Sequence, residues 1–326
     1  MPDSPGTPRP AAALWAQLPP AAGSAVMATG ILSVGLHLTG YDVLSVVLFV
    51  LAAALWVLLA ADFVLRLVRE RSRWEHEADT PPALTAVAAT CVLGTRFSLA
   101  GWQWLAEALL VIAVVVWPVL LFLVVRHWKP KMPGAVFLVC VATQGIAVLG
   151  ATLSAQLRVD WLGYAAMVVF WSGIVLYAVA FARFDLRQVF DGAGDHWIAG
   201  GALAISALAA AKLVVAGRAG DLWNSDATGV LRDMCGVLLV LDVAWYLVLA
   251  VAEVLEPRFR YDVRRWATVF PMGMTAVAML SVAAAVGTPW LKGPGQVLLW
   301  IAVAVWLTVL VGAVRSAGSA GSREPR

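Results

Sequence analysis

Charge is what this chain has least of. Asp, Glu, Lys and Arg together make up 13% of its 326 residues, about half their share in a soluble domain. Cysteine is also scarce: Cys91, Cys140 and Cys235 all fall in apolar segments and no CxxC occurs. That excludes a disulfide framework and a thiolate zinc site, and leaves small packing residues. The four histidines (His37, His76, His127, His196) are scattered, three of them at or near predicted loops. Haem ligation wants histidines deep in facing spans, so no metal or other cofactor is expected. No G-x-x-x-x-G-K-[ST], H-E-x-x-H or G-x-S-x-G is present, which removes direct ATP coupling, zinc proteolysis and the hydrolase elbow. No basic cluster carries the interleaved aromatics that suit nucleic acid, so that partner is excluded. The first eighteen residues lack a basic stretch followed by an apolar core, the mark of a cleaved signal.

Apolar length is what the chain has. Hydrophobic residues are 62% of it and mean hydropathy is +0.85. A water-soluble fold of this size has no interior large enough for so much apolar surface, whereas lipid accepts it. A span needs about 20 apolar residues. Ten segments qualify, at 20–38, 43–66, 84–100, 103–125, 134–153, 161–182, 197–216, 228–251, 267–286 and 296–315. Turn-forming runs such as TGYD, KPKMP and GTPWLKGPG separate them, and tryptophans gather near the breaks as an interfacial belt.

The basic residues alternate by side. One set of loops holds Arg66, Arg69, Arg71 and Arg73, then Arg126, Lys129 and Lys131, then Arg183 and Arg187, then Arg258, Arg260, Arg264 and Arg265, and the tail adds Arg315, Arg323 and Arg326. The other set holds Arg96, Arg158, Arg218 and Lys292. The positive-inside rule then puts both termini in the cytoplasm of a multi-pass plasma-membrane protein. The expected organisation is a cytoplasmic tail over 1–18, one transmembrane domain over 19–316 and a second tail over 317–326.

A second alternation concerns side-chain size. Odd spans are built of small residues, as in AAGSAVMATGILSVG, and even spans of bulky ones, as in LLVIAVVVWPVLLFLVV. Small residues let helices approach closely and suit a protein-facing position. The expected fold is therefore an all-α membrane protein of ten transmembrane helices arranged as five helical hairpins. An inner ring of five odd-numbered helices encloses a central pore, or packs tightly without a lumen, inside an outer ring of five even-numbered helices.

Several residues stand out against that frame. Thr29, Ser33 and His37 share one face of the first span, with Gly30 beside them; they line a water path or bond back to helix carbonyls. Thr143 and Gln144 sit mid-span in the fifth, and Met274 lies in the ninth. Ionisable groups inside spans are costly and mark function or pairing. Lys212 and Arg232, toward the outer side, either draw anions inward or pair with Asp233 or Glu107. Asp242, mid-span in the eighth, is either a proton-coupling carboxylate or a hydrogen-bonded packing acid. Phe270 and Phe137 are the aromatics well inside small-residue spans. Phe270 precedes Pro271, where a ring at a proline site in a narrow lumen makes a steric and dewetting gate, or else an ordinary core residue.

Three stretches carry a family resemblance. VMATGILS at 26–33 after Pro19-Pro20, VATQGIAVL at 141–149 and RWATVFPMG at 265–273 resemble the first, fifth and ninth spans of the tellurite-resistance/C4-dicarboxylate transporter family, which includes the plant guard-cell slow anion channels. The resemblance covers about residues 19–316. It implies a pseudo-fivefold arrangement, a pore lined by odd helices, usually a homotrimer, and a pore-blocking phenylalanine that corresponds to Phe270. The substrates it implies are small inorganic or carboxylate anions: chloride, nitrate, malate, sulfite or tellurite-related species. Transport, not catalysis, is the expected function. The rivals are a proton-coupled dicarboxylate or sulfite carrier and, from another class, an intramembrane sensor or enzyme, for which the spans hold no catalytic constellation.

Overall fold

The computed structural model describes residues 22–257 and 261–321. The expected N-terminal tail, Pro19-Pro20, Arg258, Arg260, and residues 322–326 with Arg323 and Arg326 lie outside the described residues. We number the ten predicted spans as they are observed: α1 Gly23–Leu38, α2 Asp42–Arg69, α3 Thr85–Leu99, α4 Gln103–Arg126, α5 Leu138–Leu157, α6 Asp160–Phe181, α7 Ile198–Gly220, α8 Ser225–Leu255, α9 Trp266–Val282 and α10 Lys292–Gly321. Nine of these, counted with their flanking turns, are long and apolar enough to cross a bilayer. The exception is α1, with 16 described residues, about 24 Å of helix. At the other end, α10 runs to Gly321 and so includes part of the segment expected as a tail.

Side-chain size sorts the helices. In the apolar windows of the segments containing α3, α5, α7 and α9, 78–100% of residues are buried, against 11–28% for α2, α4, α6, α8 and α10. Helix α1 is buried from Gly23 to Leu36, apart from Ala25. Each odd helix packs on the even helix that follows it, giving five hairpins. The odd helices also pack on one another in the order α1, α3, α5, α7, α9 and back to α1, which closes a ring. Every even helix reaches over to the next odd helix: α2 to α3, α4 to α5, α6 to α7, α8 to α9 and α10 to α1. One packing rule repeated five times therefore builds both rings.

Small residues set the spacing in the inner ring. A Cβ on Gly201 of α7 would lie 2.8 Å from Cγ of Pro271 on α9, and one on Gly273 of α9 would lie 3.0 Å from Cγ2 of Ile31 on α1. Both distances are inside van der Waals contact, so glycine is what lets these helices touch. On the arginine-rich side two loops join through a short bridge: the Met132 amide donates to the Arg183 carbonyl at 2.7 Å, and the Asp185 amide to the Met132 carbonyl at 2.9 Å. Trp102, Trp104, Trp161 and Trp290 are exposed at the opposite ends of the helices, where an interfacial belt is expected.

Candidate functional site: an axial cavity

A cavity lies on the axis of the inner ring and all five inner helices line it. Ile31 and Val34 come from α1, Cys91, Val92 and Thr95 from α3, and Gly145 and Val148 from α5. Ile205, Leu208 and Lys212 come from α7, and Met274, Val277 and Ser281 from α9. Its volume is about 20 Å³, room for a single water. The route along the axis is therefore closed as described. The lining is apolar except at the end away from the arginine-rich loops, where Thr95, Ser281 and Lys212 meet it. No carboxylate lines it.

Lys212 is the one cation on this wall among the described residues. Pairing with Asp233 or Glu107 was one reading of it, yet among the described residues no ion pair forms between these groups. Arg232, Asp233 and Glu107 are exposed on outer helices, so Arg232 is not part of an axial vestibule within this chain.

Most of the polar residues expected on the lumen face the other way. Thr29 accepts a hydrogen bond from Trp306 Nε1 on α10 at 3.0 Å. Thr143 accepts one from Trp117 Nε1 on α4 at 2.9 Å. Gln144 Nε2 donates to the Phe170 carbonyl on α6 at 3.1 Å. Ser33 exchanges hydrogen bonds with Ser45 on α2. A Cβ on Gly30 would lie 2.9 Å from Cγ1 of Val92 on α3, so Gly30 is a helix-contact residue. Only Met274, among the residues expected on the pore, lines the cavity. The physical reason is cost: inside a membrane a hydroxyl or amide needs a partner, and the outer helices supply one where an empty lumen does not.

These bonds form a pattern that sequence reading missed. Trp56 Nε1 on α2 donates to Thr90 on α3 at 2.9 Å, in the same relation as Trp117 to Thr143 and Trp306 to Thr29. At the α8–α9 junction Asp242 takes the place of tryptophan, its Oδ1 accepting from the Thr275 hydroxyl at 3.0 Å. Four of the five junctions between an even helix and the next odd helix thus carry a buried or half-buried bond to a threonine. The mid-span tryptophans were the signal, hidden among the many at helix ends.

Asp242 is fully buried at that junction, off the cavity wall, and its second oxygen has no partner among the described residues. The two aromatic residues of the small-residue spans separate clearly. Phe137 lies in a cluster with Tyr177, Phe181 and Phe184. Phe270, 1% exposed, has no ring contact among the described residues. It sits four residues before Met274 and shares a helix face with Met274, Val277 and Ser281. Pro271 lies inside α9 and does not start it; its ring packs on Gly201. Asp62 and Glu253 pair with Arg66 at 2.9 Å and Arg265 at 2.8 Å, respectively.

Arg96 is a second surprise. It was counted with the outer loops, but it lies within α3 and is 3% exposed. A larger crevice, about 450 Å³, lies between α2, α3 and α4, bordered by Gly23 and Val26 of α1 and by Trp74, Glu77 and Ala78, and shares no lining residue with the axial cavity. Alanines at 60, 86, 89 and 113 leave that space unfilled. Among the described residues, no cluster of His, Cys, Asp or Glu is placed to hold a metal ion.

No curated protein matches the chain. A family model does, over residues 17–314, and its description is voltage-dependent anion channel. With ten apolar helices in two concentric rings and a match across nearly the whole length, the chain belongs to the voltage-dependent anion channel family, whose members move anions across membranes.

Proposed function

We propose that the protein conducts small anions, of the chloride, nitrate, C4-dicarboxylate, sulfite or tellurite class, along the axis of the inner ring, and that Phe270 occludes the path. The observation that carries this reading is the axial cavity itself: all five inner helices line it, its wall holds an unpaired cation and no carboxylate, and it is closed. The inner helices run parallel, so their positive dipole ends gather on the arginine-rich side and favour anions there. Phe270 is one helical turn from the cavity floor at Met274, buried and free of aromatic partners. A large ring at that level fills the axis and keeps it dry. The chain acts from the bacterial plasma membrane with both termini cytoplasmic, as the basic loops suggest, and a homotrimer is the assembly that the family resemblance implies.

The test is flux of labelled chloride and nitrate in proteoliposomes. Phe270→Ala raises flux at least about tenfold over the wild type, a barrier change of about 1.4 kcal/mol. Unchanged flux in protein that runs as a folded species rejects the gate.

A second reading rests on Asp242. Its buried carboxyl has one oxygen free, and the other meets Thr275, whose hydroxyl also lies 3.1 Å from the Pro271 carbonyl. A proton on Asp242 therefore bears on the helix that carries Phe270. A proton-coupled dicarboxylate or sulfite carrier predicts uptake driven by a pH gradient and abolished in Asp242→Asn. Uptake that follows voltage alone sinks it.

A further inference from the structure

The geometry assigns anion selectivity to Arg96: we infer that its charge, held behind the cavity wall without a salt-bridge partner, biases the outer half of the path toward anions. This inference rests on the conduction reading above and names a residue that determines its specificity.

The setting of Arg96 is closed and fully specified. The Ser33 hydroxyl donates to the Ser45 carbonyl at 2.7 Å, and the Ser45 hydroxyl to the Ser33 carbonyl at 2.7 Å. Both hydroxyl protons are thereby used and both oxygens keep lone pairs. Arg96 supplies the donors: Nε to Ser33 Oγ at 3.0 Å and Nη2 to Ser45 Oγ at 3.1 Å. The Phe49 ring lies under the guanidinium, 4.8 Å from its carbon. Nη1 is buried with no hydrogen-bond partner among the described residues. Among the described residues no carboxylate pairs with this arginine; Asp42 on the adjoining turn is exposed and bonded to His37. A guanidinium stays charged even when buried, so a positive charge sits here whose hydrogen-bond ligands are neutral and whose nearest carboxylate influence is the exposed Asp42.

Its position matters because of helix direction. The five parallel inner helices end at the outer mouth, each contributing roughly half a negative charge there. That rim by itself repels anions and draws cations. Arg96 lies one residue from cavity-lining Thr95, and its partner Ser33 one residue from cavity-lining Val34. At the usual spacing of about 8–10 Å an inner helix of such a ring stands roughly 7–9 Å from the central axis, and the guanidinium, held against α2 behind it, stands roughly 10–12 Å away. Through an effective dielectric near 20, a unit charge at that range changes ion occupancy by about tenfold. Bulk salt does not screen a buried charge as it does an exposed one. Lys212 supplies the other positive charge at this level, so removal of either weakens the offset against the rim.

The experiment compares labelled chloride and rubidium fluxes in proteoliposomes, in the open Phe270→Ala background. Arg96→Gln lowers the chloride-to-rubidium ratio at least about tenfold, whereas Arg96→Lys keeps it within about twofold. If the glutamine variant does not fold, Ser45→Asp neutralises Arg96 in place, beside Nη2, and lowers the ratio to the same extent. A purely structural arginine alters yield and stability and leaves the ratio alone. An unchanged ratio in folded Arg96→Gln or Ser45→Asp protein, in a background that still prefers chloride, overturns this inference and spares the conduction reading. No flux at all in the Phe270→Ala chain overturns both.

Discussion

Thr29, Thr90 and Thr143 each spend a hydroxyl on a tryptophan from a neighbouring outer helix. Such bonds average about 0.6 kcal/mol in membranes and reach about 1.7. Thr143→Val should therefore cost about 0.6–1.7 kcal/mol in detergent unfolding. It should leave ion selectivity untouched, since the hydroxyl points away from the axis. A changed chloride-to-rubidium ratio in this variant argues that Thr143 reaches the lumen after all. Lys212 is the opposite case: Lys212→Gln should reduce chloride flux severalfold at low salt with little effect on stability, because no partner loses an ion pair. These two residues were equally eligible in the sequence. Helical spacing tells which side chains share a face, but which face meets the axis depends on rotation about the helix, and that is set by neighbours far away in the chain.

Among the elements, α9 carries the most consequences. It holds Phe270, it packs on α7 through Gly201 and Pro271, it packs on α1 through Gly273, and Thr275 ties it to α8. Gly201→Ala puts a methyl against the Pro271 ring, an overpacking that should cost about 1–3 kcal/mol in thermal unfolding. A Gly201→Ala protein as stable as the wild type means that α7 and α9 have slack between them. The helices themselves were legible in the sequence, because apolar length and turn residues mark them independently of tertiary context. So was the sorting into inner and outer sets, since small and bulky residues separate by span. The outer ends were less so: Arg96 reads as a loop residue until the two serines that hold it, 51 and 63 positions away, are seen beside it.

At the scale of the molecule, five hairpins follow one rule, and the departures from it are informative. Among the described residues the α6–α7 junction lacks the side-chain bond to a threonine that the other four carry. Its mid-membrane part is held by packing, the Tyr164 hydroxyl bonding the Leu222 carbonyl only at one end. Hydrogen exchange should show the facing segments of α6 and α7 opening before those of the other junctions. Equal protection at all five seams counts against any role for the tryptophan–threonine bonds in holding the rings together.

The axial chamber, finally, has space for one water molecule. An ion that crosses it leaves its own shell of solvent behind, and the apolar wall of Ile31, Val148, Ile205 and Met274 gives little in return. Passage then ranks ions by how cheaply they dehydrate, ahead of their charge or diameter. Large, weakly hydrated monovalent anions such as nitrate should outpace chloride, and compact doubly charged oxyanions should trail both.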